Sequence, residues 1–283
     1  MAPQVILQAA VSGLLLGLIF SLISVGLALI WGVMGFINFA HADFMMLSMY
    51  LAFWLFTLYG IDPVFSLPVA AVLSFILGVL VYRLIVSRVV GASIVVQLFV
   101  TFGLMIFLRG SAQFLWSPDY RQIPETLVSG RLQIFGVYIG IPQLLAGAGA
   151  LVVDAILYWF IQKTETGRAL RAVAEDKLAA SLMGIPSERM YALAWGIGVG
   201  GAGLAGALIS TYYYIYPDVG SVFGLIALTI VAMAFGNILV TFIASIATGL
   251  VISLGGIIIG PALKYAVVFL VFLAVLLLRR TKE

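Results

Sequence analysis

Residues 222–253 read VFGLIALTIVAMAFGNILVTFIASIATGLVIS, a stretch without a single charged side chain. One membrane-spanning helix needs about 20 apolar residues, so this stretch is too long for one ordinary crossing. Gly236 and Asn237, near its middle, are turn formers. The stretch therefore predicts two short half-helices that meet at Gly236-Asn237 and form a hairpin.

The basic residues explain why this hairpin is needed. The longest polar interruption, residues 163–189, carries five Lys and Arg residues, and the chain ends in Arg279, Arg280, Thr281 and Lys282. Basic residues near span ends favour the cytoplasmic side, which places both segments there. Three crossings between them would leave the C-terminus outside the cytoplasm. The hairpin makes the number of crossings even and so keeps the C-terminus in the cytoplasm. Counting back, the N-terminus is expected outside the cytoplasm.

The rest of the composition agrees with a membrane protein. The chain is 64% hydrophobic and 9% charged, with a mean hydropathy of +1.23. Such a sequence predicts an all-α polytopic membrane protein, because helices satisfy their backbone hydrogen bonds within each span. We expect one transmembrane domain, residues 1–283, whose first span is retained rather than cleaved as a signal peptide. The chain has about eight hydrophobic segments, at 5–30, 38–60, 64–86, 93–116, 134–162, 190–213, 222–253 and 257–278.

Several kinds of chemistry are excluded or unsupported. The chain has no cysteine, which excludes disulfides, thiolate catalysis and cysteine-ligated metals. It also lacks the Gly-x-x-x-x-Gly-Lys-Ser/Thr loop that cradles nucleotide phosphates. We expect no cofactor, no bound metal and no nucleic-acid partner.

The stretch GFINFAHADF, residues 35–44, predicts that the second hydrophobic segment is broken. Asn38 is a good N-cap, and a helix that starts within the membrane exposes amides with partial positive charge. Discontinuous helices of this kind face anionic substrate groups in transporters. One hypothesis places Asn38, His41 and Asp43 on the substrate pathway. In the alternative, Asp43 only caps the helix and His41 bonds a backbone carbonyl.

Three further charges fall inside hydrophobic segments, and an unpaired charge at such depth costs about 2.5–3.5 kcal/mol. Arg109 and Lys264 lie near enough to segment ends to extend towards the outer surface. Asp154 lies deeper, so we expect it to face protein or a wet cavity. Lys264 is its most reachable partner within the chain.

The cytoplasmic segment TETGRALRAVAEDKLAASLMGIPSER, residues 164–189, predicts two short helices. The first begins near Thr166 and runs through Val173, whereas Asp176 caps the second, which ends at Met183 before Gly184 and Pro186. An apolar, low-relief surface results on the second helix, formed by Leu178, Ala179, Ala180, Leu182, Gly184 and Ile185. This surface suits a helix-in-groove contact with a soluble partner, or alternatively a position on lipid headgroups.

The Ala179-Ala180-x-x-x-Gly184 core resembles the cytoplasmic coupling segment of permease subunits in ATP-binding-cassette (ABC) importers. More closely, GRALRAVAEDKLAASLMGI together with GFINFAHADFMMLSMY resembles the smaller permease of branched-chain amino acid uptake systems, over nearly the whole chain. The resemblance implies a permease domain whose loop at 163–189 contacts an ATPase. The residues expected in that contact are Glu175, Asp176, Leu178, Ala179, Ala180, Leu182, Gly184 and Ile185.

The same resemblance implies a multi-pass subunit of the bacterial inner (cytoplasmic) membrane that carries branched-chain or related amino acids. Its expected partners are a second homologous permease, two cytoplasmic ATP-binding subunits, a periplasmic substrate-binding protein and membrane lipid. ATP hydrolysis would belong to the partner ATPases, so the chain itself is not expected to be an enzyme. An importer of urea, short amides or small organic acids is the alternative.

Two other classes fit the sequence less well. An ion-coupled secondary transporter would carry more membrane-embedded carboxylates and recognisable repeat halves. An intramembrane hydrolase could use His41 with Ser48, but one isolated histidine makes a poor catalytic set.

Overall fold

The computed structural model describes residues 3–124, 126–134, 136–260 and 263–280. These residues form eleven α-helices and one two-stranded antiparallel β-hairpin. The elements in chain order are α1 (Pro3–Met34), α2 (His41–Tyr59), α3 (Pro63–Leu84), α4 (Ile94–Trp116), β1 (Arg131–Ile134), β2 (Val137–Gly140), α5 (Ile141–Lys163), α6 (Glu165–Glu175), α7 (Lys177–Leu182), α8 (Ser187–Ile209), α9 (Gly220–Ala234), α10 (Ile238–Ile258) and α11 (Lys264–Arg280).

The fold is that of an all-α polytopic membrane protein, as the sequence predicted. In the described part of the chain, seven helices are long and apolar enough to cross a membrane: α1, α2, α3, α4, α5, α8 and α10. The predicted span at 134–162 begins too early, because Ile134 belongs to β1 and helix α5 starts only at Ile141. Alternating apolar residues there form the β-hairpin rather than a helical turn.

Helix α1 lies at the centre of the bundle and contacts α5, α8, α9 and α10. It runs antiparallel to α10, since Gly13 meets Ser253 towards one end, Gly17 meets Ile246 in the middle, and Gly32 meets Gly236, just before α10, at the other end. A Cβ atom on Gly17 would lie only 2.7 Å from the Cα atom of Ile246. Glycine is therefore required there for the two backbones to approach, as small residues commonly allow between membrane helices.

The hairpin expected in residues 222–253 forms where the turn residues predicted it. Helix α9 ends at Ala234, and Phe235 and Gly236 follow it with left-handed φ angles of 52° and 72°. The Asn237 side chain then accepts a hydrogen bond from Val240 N at 3.1 Å. The two halves are unequal, however. Helix α10 has 21 residues and can span a membrane, so the prediction of two short halves is wrong for α10. The contact between α10 and α1 continues along α10 and stabilises this longer helix.

The helix contacts also define the two ends of the bundle. Tyr82 at the end of α3 donates to Glu188 at the start of α8, which places the 163–189 loop at the same end as the C-terminal part of α3. We call this the cytoplasmic end, following the positive-inside rule. At the opposite, outer end, the Gln8 side chain bonds the backbone of Tyr138.

The directions of the last four membrane helices agree with the predicted even number of crossings. Helices α8, α9, α10 and α11 alternate in direction, so α11 ends at the same side as the 163–189 loop. The N-terminus of α1 lies at the outer end, as expected. Of the predicted basic C-terminal run, Thr281 and Lys282 lie outside the described residues.

Candidate translocation and docking sites

The chain between α1 and α2 breaks as predicted, but the helix begins later than expected. Gly35 takes a left-handed φ of 62°, and residues 35–38 have no regular structure. The Asn38 side chain accepts a hydrogen bond from Ala40 N at 3.0 Å, and α2 starts at His41 with Ala40 in the N-cap position. Asn38 therefore orders the turn before the helix, and the prediction that it is the N-cap itself is wrong.

Helix α2 begins near mid-depth of the bundle. The His41 ring nitrogen Nε2 lies 3.1 Å from the carbonyl oxygen of Ile23, in the middle of α1. Because a carbonyl only accepts, Nε2 carries the proton in this contact. Asn38 and His41 are both buried, and the histidine makes the backbone contact that the structural alternative expected.

A second helix begins at the same place. Gly220, the first residue of α9, lies so close to α2 that a Cβ atom would be 2.8 Å from Asp43 Oδ1 and 2.9 Å from the carbonyl oxygen of Ala42. The N-termini of α2 and α9 therefore meet around Asp43. Both termini direct partial positive charge towards this carboxylate.

Arg109 of α4 completes an ionic cluster at this point. Its Nε donates to Asp43 Oδ1 at 2.6 Å, and its Nη1 donates to Asp218 Oδ1 at 2.8 Å and to Ser221 Oγ at 2.7 Å. The Asp43 side chain has no exposure, whereas Arg109 is 19% and Asp218 is 61% exposed. The cluster is thus buried on the Asp43 side and open on the Asp218 side. With two carboxylates and one guanidinium, it retains an excess of negative charge.

These contacts add two residues to the predicted site. Arg109 is paired with Asp43 and Asp218, so it does not need to reach a segment end to avoid an unpaired charge. Asp218 and Ser221 were not singled out from the sequence. The signal available was Pro217-Asp218 just before the seventh hydrophobic segment, a pattern typical of a helix start.

Asp154 faces protein, as predicted, but Lys264 is not its partner. The carboxylate is 5% exposed and accepts a hydrogen bond on Oδ2 from the Ser21 hydroxyl. Its other oxygen, Oδ1, has no hydrogen-bond partner among the described residues. Lys264 instead places its Nζ 4.9 Å from the ring centre of its neighbour Tyr265. It starts α11, which packs on α9 and α10 rather than on α5.

The cytoplasmic segment forms the two predicted helices with well-defined ends. Thr164, two residues before the expected position, caps α6 by accepting from Gly167 N at 3.0 Å. Asp176 caps α7 by accepting from the backbone amides of Leu178 and Ala179 at 2.8 and 3.0 Å. After α7, Gly184 takes a φ of 82°, which makes it the left-handed terminating residue that the sequence predicted.

The exposed face of α7 differs in part from the predicted one. Leu178 and Leu182 are 70% and 80% exposed, and Met183, which was not predicted, is exposed beside them. Ala180 and Ile185 instead turn inward and pack against the bundle, which corrects their assignment to the docking surface. We define the α7 face by its exposed residues Leu178, Ala179, Leu182, Met183 and Gly184. Glu175 and Asp176 are also exposed and precede this face.

Comparison with known proteins identifies the family. The family described as branched-chain amino acid transport system / permease component matches residues 9–276. The chain belongs to this permease family. It is 30% identical to the high-affinity branched-chain amino acid transport system permease protein BraD of Pseudomonas aeruginosa, over 97% of this chain and 94% of the relative.

Two further relatives support the assignment. The permease is 28% identical to the corresponding protein LivH of Escherichia coli K12, again over 97% of this chain and 94% of the relative. It is 30% identical to a probable branched-chain amino acid transport permease protein LivH of Methanocaldococcus jannaschii, over 70% and 64% of the two chains. No solved structure was found to match the permease. The molecule is therefore a multi-pass membrane permease and a subunit of a transport system.

Proposed function

We propose that the permease is one membrane subunit of an ABC importer in the bacterial inner membrane and forms half of a pathway for branched-chain amino acids. The names of its relatives support this substrate class. The observation that carries the ATP-driven part is the α7 face, which presents Leu178, Leu182 and Met183 at the cytoplasmic end. Its proposed partners are two cytoplasmic ATPases, a second permease and a periplasmic substrate-binding protein.

Helix α7 is attached to the bundle, so a partner that moves the α7 face would also move the helices next to it. Ala180 and Ile185 anchor α7 to the bundle, and Lys177 places its Nζ 5.3 Å from the ring centre of Tyr191 on α8. The Asp176 cap and the left-handed Gly184 fix the two ends of the helix. An ATPase that covers the exposed leucines would therefore move α6, α7 and the start of α8 together. ATP-driven closure would shift the balance between outward-open and inward-open states.

We further propose that the ionic cluster of Asp43, Arg109, Asp218 and Ser221 borders the pathway. Its support is the mid-depth position, the meeting of two helix N-termini and the exposure of Asp218. A zwitterionic substrate brings one ammonium and one carboxylate. Asp218 would receive the ammonium and Arg109 the carboxylate. Asn38 and His41 would serve this site by shaping the break before α2, not by touching substrate.

Charge placed on the α7 face tests the contact with the ATPase. We expect Leu178→Glu with Leu182→Glu to abolish co-purification of the ATPase, because two carboxylates would be buried in an apolar contact. Leu127→Glu is a matched control, since Leu127 is 73% exposed but lies at the outer end near Asp62. Unchanged ATPase recovery with the double variant would refute the contact. Equal loss in the control would show that any added charge disrupts the complex.

The substrate class needs its own experiment. The periplasmic binding protein that co-purifies with the complex should bind leucine, isoleucine or valine in calorimetric titration. Binding of urea, short amides or small organic acids in place of these amino acids would assign the alternative substrate class and reject the proposed one.

A further inference from the structure

The segment that follows α4 folds back into the outer end of the bundle. Residues 117–123 leave α4 at Trp116 and run between the outer half of α2 and the chain that connects α8 to α9. The backbones of Arg121 and Ile215 pair there, with Arg121 N donating to Ile215 O at 2.9 Å and Ile215 N to Arg121 O at 2.8 Å. Ile123, at the end of the segment, is only 2% exposed. We call residues 117–123 the outer strap.

The Arg121 side chain holds the outer strap against α2 and α4. Its guanidinium carbon lies 5.4 Å from the ring centre of Phe53 and 5.2 Å from that of Trp54, within the range in which a cation is attracted to an aromatic face. Its Nη2 donates to the carbonyl oxygen of Trp116 at 2.5 Å. The Trp116 ring in turn stacks on Tyr50, with 4.3 Å between the ring centres. One arginine therefore joins the strap to two helices.

The outer strap covers the outer side of the ionic cluster. Helix α2 runs from Asp43 towards the outer end, and Phe53 lies ten residues further on, about 15 Å along the helix axis. On α4, Trp116 lies seven residues beyond Arg109, about 10 Å in the same direction. The strap therefore closes the space between α2, α4 and the α8–α9 connection, above Asp43 and Arg109.

The outer strap also contacts the short connection that carries Asp218. The Tyr120 ring lies 4.6 Å from that of Tyr216 and 6.2 Å from that of Tyr214, measured between ring centres. Tyr216 is two residues before Asp218, whose carboxylate accepts a hydrogen bond from Arg109. Movement of the strap away from this connection would therefore release the chain on which Asp218 lies.

The closed position of the strap leaves three buried donors unpaired. The Tyr50 hydroxyl, Trp54 Nε1 and Arg121 Nε have no hydrogen-bond partner in the described part of the chain. A buried donor without a partner forgoes the hydrogen bond that it makes with water. Opening the strap would hydrate these donors, whereas the ring contacts and the backbone pair favour closure. The two positions are therefore closer in free energy than the ring contacts alone suggest.

We propose that the outer strap is the outer gate of the permease, and that it must leave Ile215 and the α2 rings before substrate enters the ionic cluster from the outside. Arg121 is the residue that holds the gate closed. The inference rests on the proposed function, because it requires a pathway at the ionic cluster. It adds the segment that moves, the residue that restrains it, and the conformation described here, which is closed to the outside.

A reversible crosslink across the gate tests whether the strap has to move. The permease has no cysteine, so Tyr120→Cys with Tyr216→Cys places its only two thiols where these rings are in contact. In proteoliposomes of the complete importer, a short bis-methanethiosulfonate crosslinker should lower ATP-dependent leucine uptake at least tenfold, and dithiothreitol should restore it. Unchanged uptake, with the crosslink verified by mass spectrometry, would overturn the proposal.

A second cysteine pair at the outer end is the matched control. Gln133 and Tyr138 are directly paired across β1 and β2, so a crosslink between cysteines at these positions joins residues that are already held together. This crosslink should leave uptake unchanged. An equal loss of uptake in the control would contradict the proposal, because transport would then fail after any crosslink at the outer end.

Thiol labelling follows the gate without altering its tyrosines. Ala112 is buried on α4, one helical turn from Arg109 on one side and from Trp116 on the other, so Ala112→Cys reports access to the space beneath the strap. In the complete importer, a membrane-impermeant maleimide added outside should label this cysteine about tenfold faster when Arg121→Gln is also present, since two cation–π contacts are lost. Equal labelling rates with and without Arg121→Gln would overturn the proposal.

Leu127→Cys is the control for the labelling experiment. Leu127 is 73% exposed at the outer end, so its labelling rate should be the same with and without Arg121→Gln. Equally accelerated labelling at both positions would contradict the proposal, because Arg121 would then stabilise the outer end as a whole rather than the gate.

Failure of the gate and failure of the proposed function give different results. If the wild-type importer accumulates leucine with ATP but the Tyr120–Tyr216 cysteine crosslink has no effect, only the gate fails. If the wild-type importer does not accumulate leucine, the proposed function fails. The labelling rate of Ala112→Cys then still shows whether Arg121 restrains the strap.

Discussion

Replacing Arg109 by methionine should strongly destabilise the permease, because it leaves the Asp43 carboxylate buried without a cation. Removing one partner of a buried ion pair typically costs about 3–5 kcal/mol. Arg109 is partly exposed and Asp43 keeps two helix N-termini, so we expect about 3 kcal/mol, or more than a hundredfold in the folding equilibrium. The measurement is reversible unfolding of the purified permease in mixed micelles, followed by tryptophan fluorescence.

The double variant Arg109→Met with Asp43→Asn makes this prediction sharper. Neutralising Asp43 removes the buried charge, so the double variant should be more stable than Arg109→Met alone by about 1 kcal/mol or more. Lys264→Met is the control, because Lys264 lies against the Tyr265 ring and has no ion-pair partner among the described residues, so its loss should cost about 0.5–1 kcal/mol. Wild-type stability of Arg109→Met would refute the reasoning. So would a double variant no more stable than the single one.

Three further predictions concern backbone approach and helix ends. Gly206→Ala should destabilise the permease by about 1–3 kcal/mol in the same unfolding assay, because its methyl group would overlap the carbonyl of Met45 on α2. Gly103→Ala on α4 is the control, since its methyl group meets open space and the variant should be neutral or stabilised. Equal losses of stability in the two variants would contradict the packing argument. Gly184→Val should uncouple ATP hydrolysis from uptake in proteoliposomes. Gly184→Asn should retain most of the coupling, since asparagine tolerates the left-handed conformation. Full coupling in the valine variant would count against the α7 contact. Asp176→Ala should cost α7 about 1 kcal/mol of capping and speed hydrogen exchange of its first amides, and unchanged exchange would show that the cap is dispensable.

Local chemistry made much of the fold predictable from the sequence. The turn at Gly236-Asn237, the Asp176 cap and the left-handed Gly184 depend on residues within one or two helical turns. For the same reason the break before α2 could be located from Gly35 and Asn38, although the cap position was two residues off. Long uncharged segments gave the approximate positions of the membrane helices.

Contacts between distant segments were not predictable in the same way. Arg109 and Asp218 are 109 positions apart, and no local pattern indicates that α4 and the start of α9 place them 2.8 Å from each other. Pairing Asp154 with Lys264 failed because sequence depth alone does not reveal which helices are neighbours. The sequence also did not show which residues of α7 face solvent, because a six-residue helix is too short for periodicity to separate Ala180 from its exposed neighbours.

Uptake by purified components tests the central claim most directly. Proteoliposomes that contain the permease alone, and proteoliposomes that contain it with the second permease, both ATPases and the binding protein, should be compared for accumulation of radiolabelled leucine. We expect accumulation only in the complete assembly and only with enclosed ATP, and we expect it to be lost when Leu178→Glu is combined with Leu182→Glu. Leucine accumulation by the permease alone, without ATP, would contradict it.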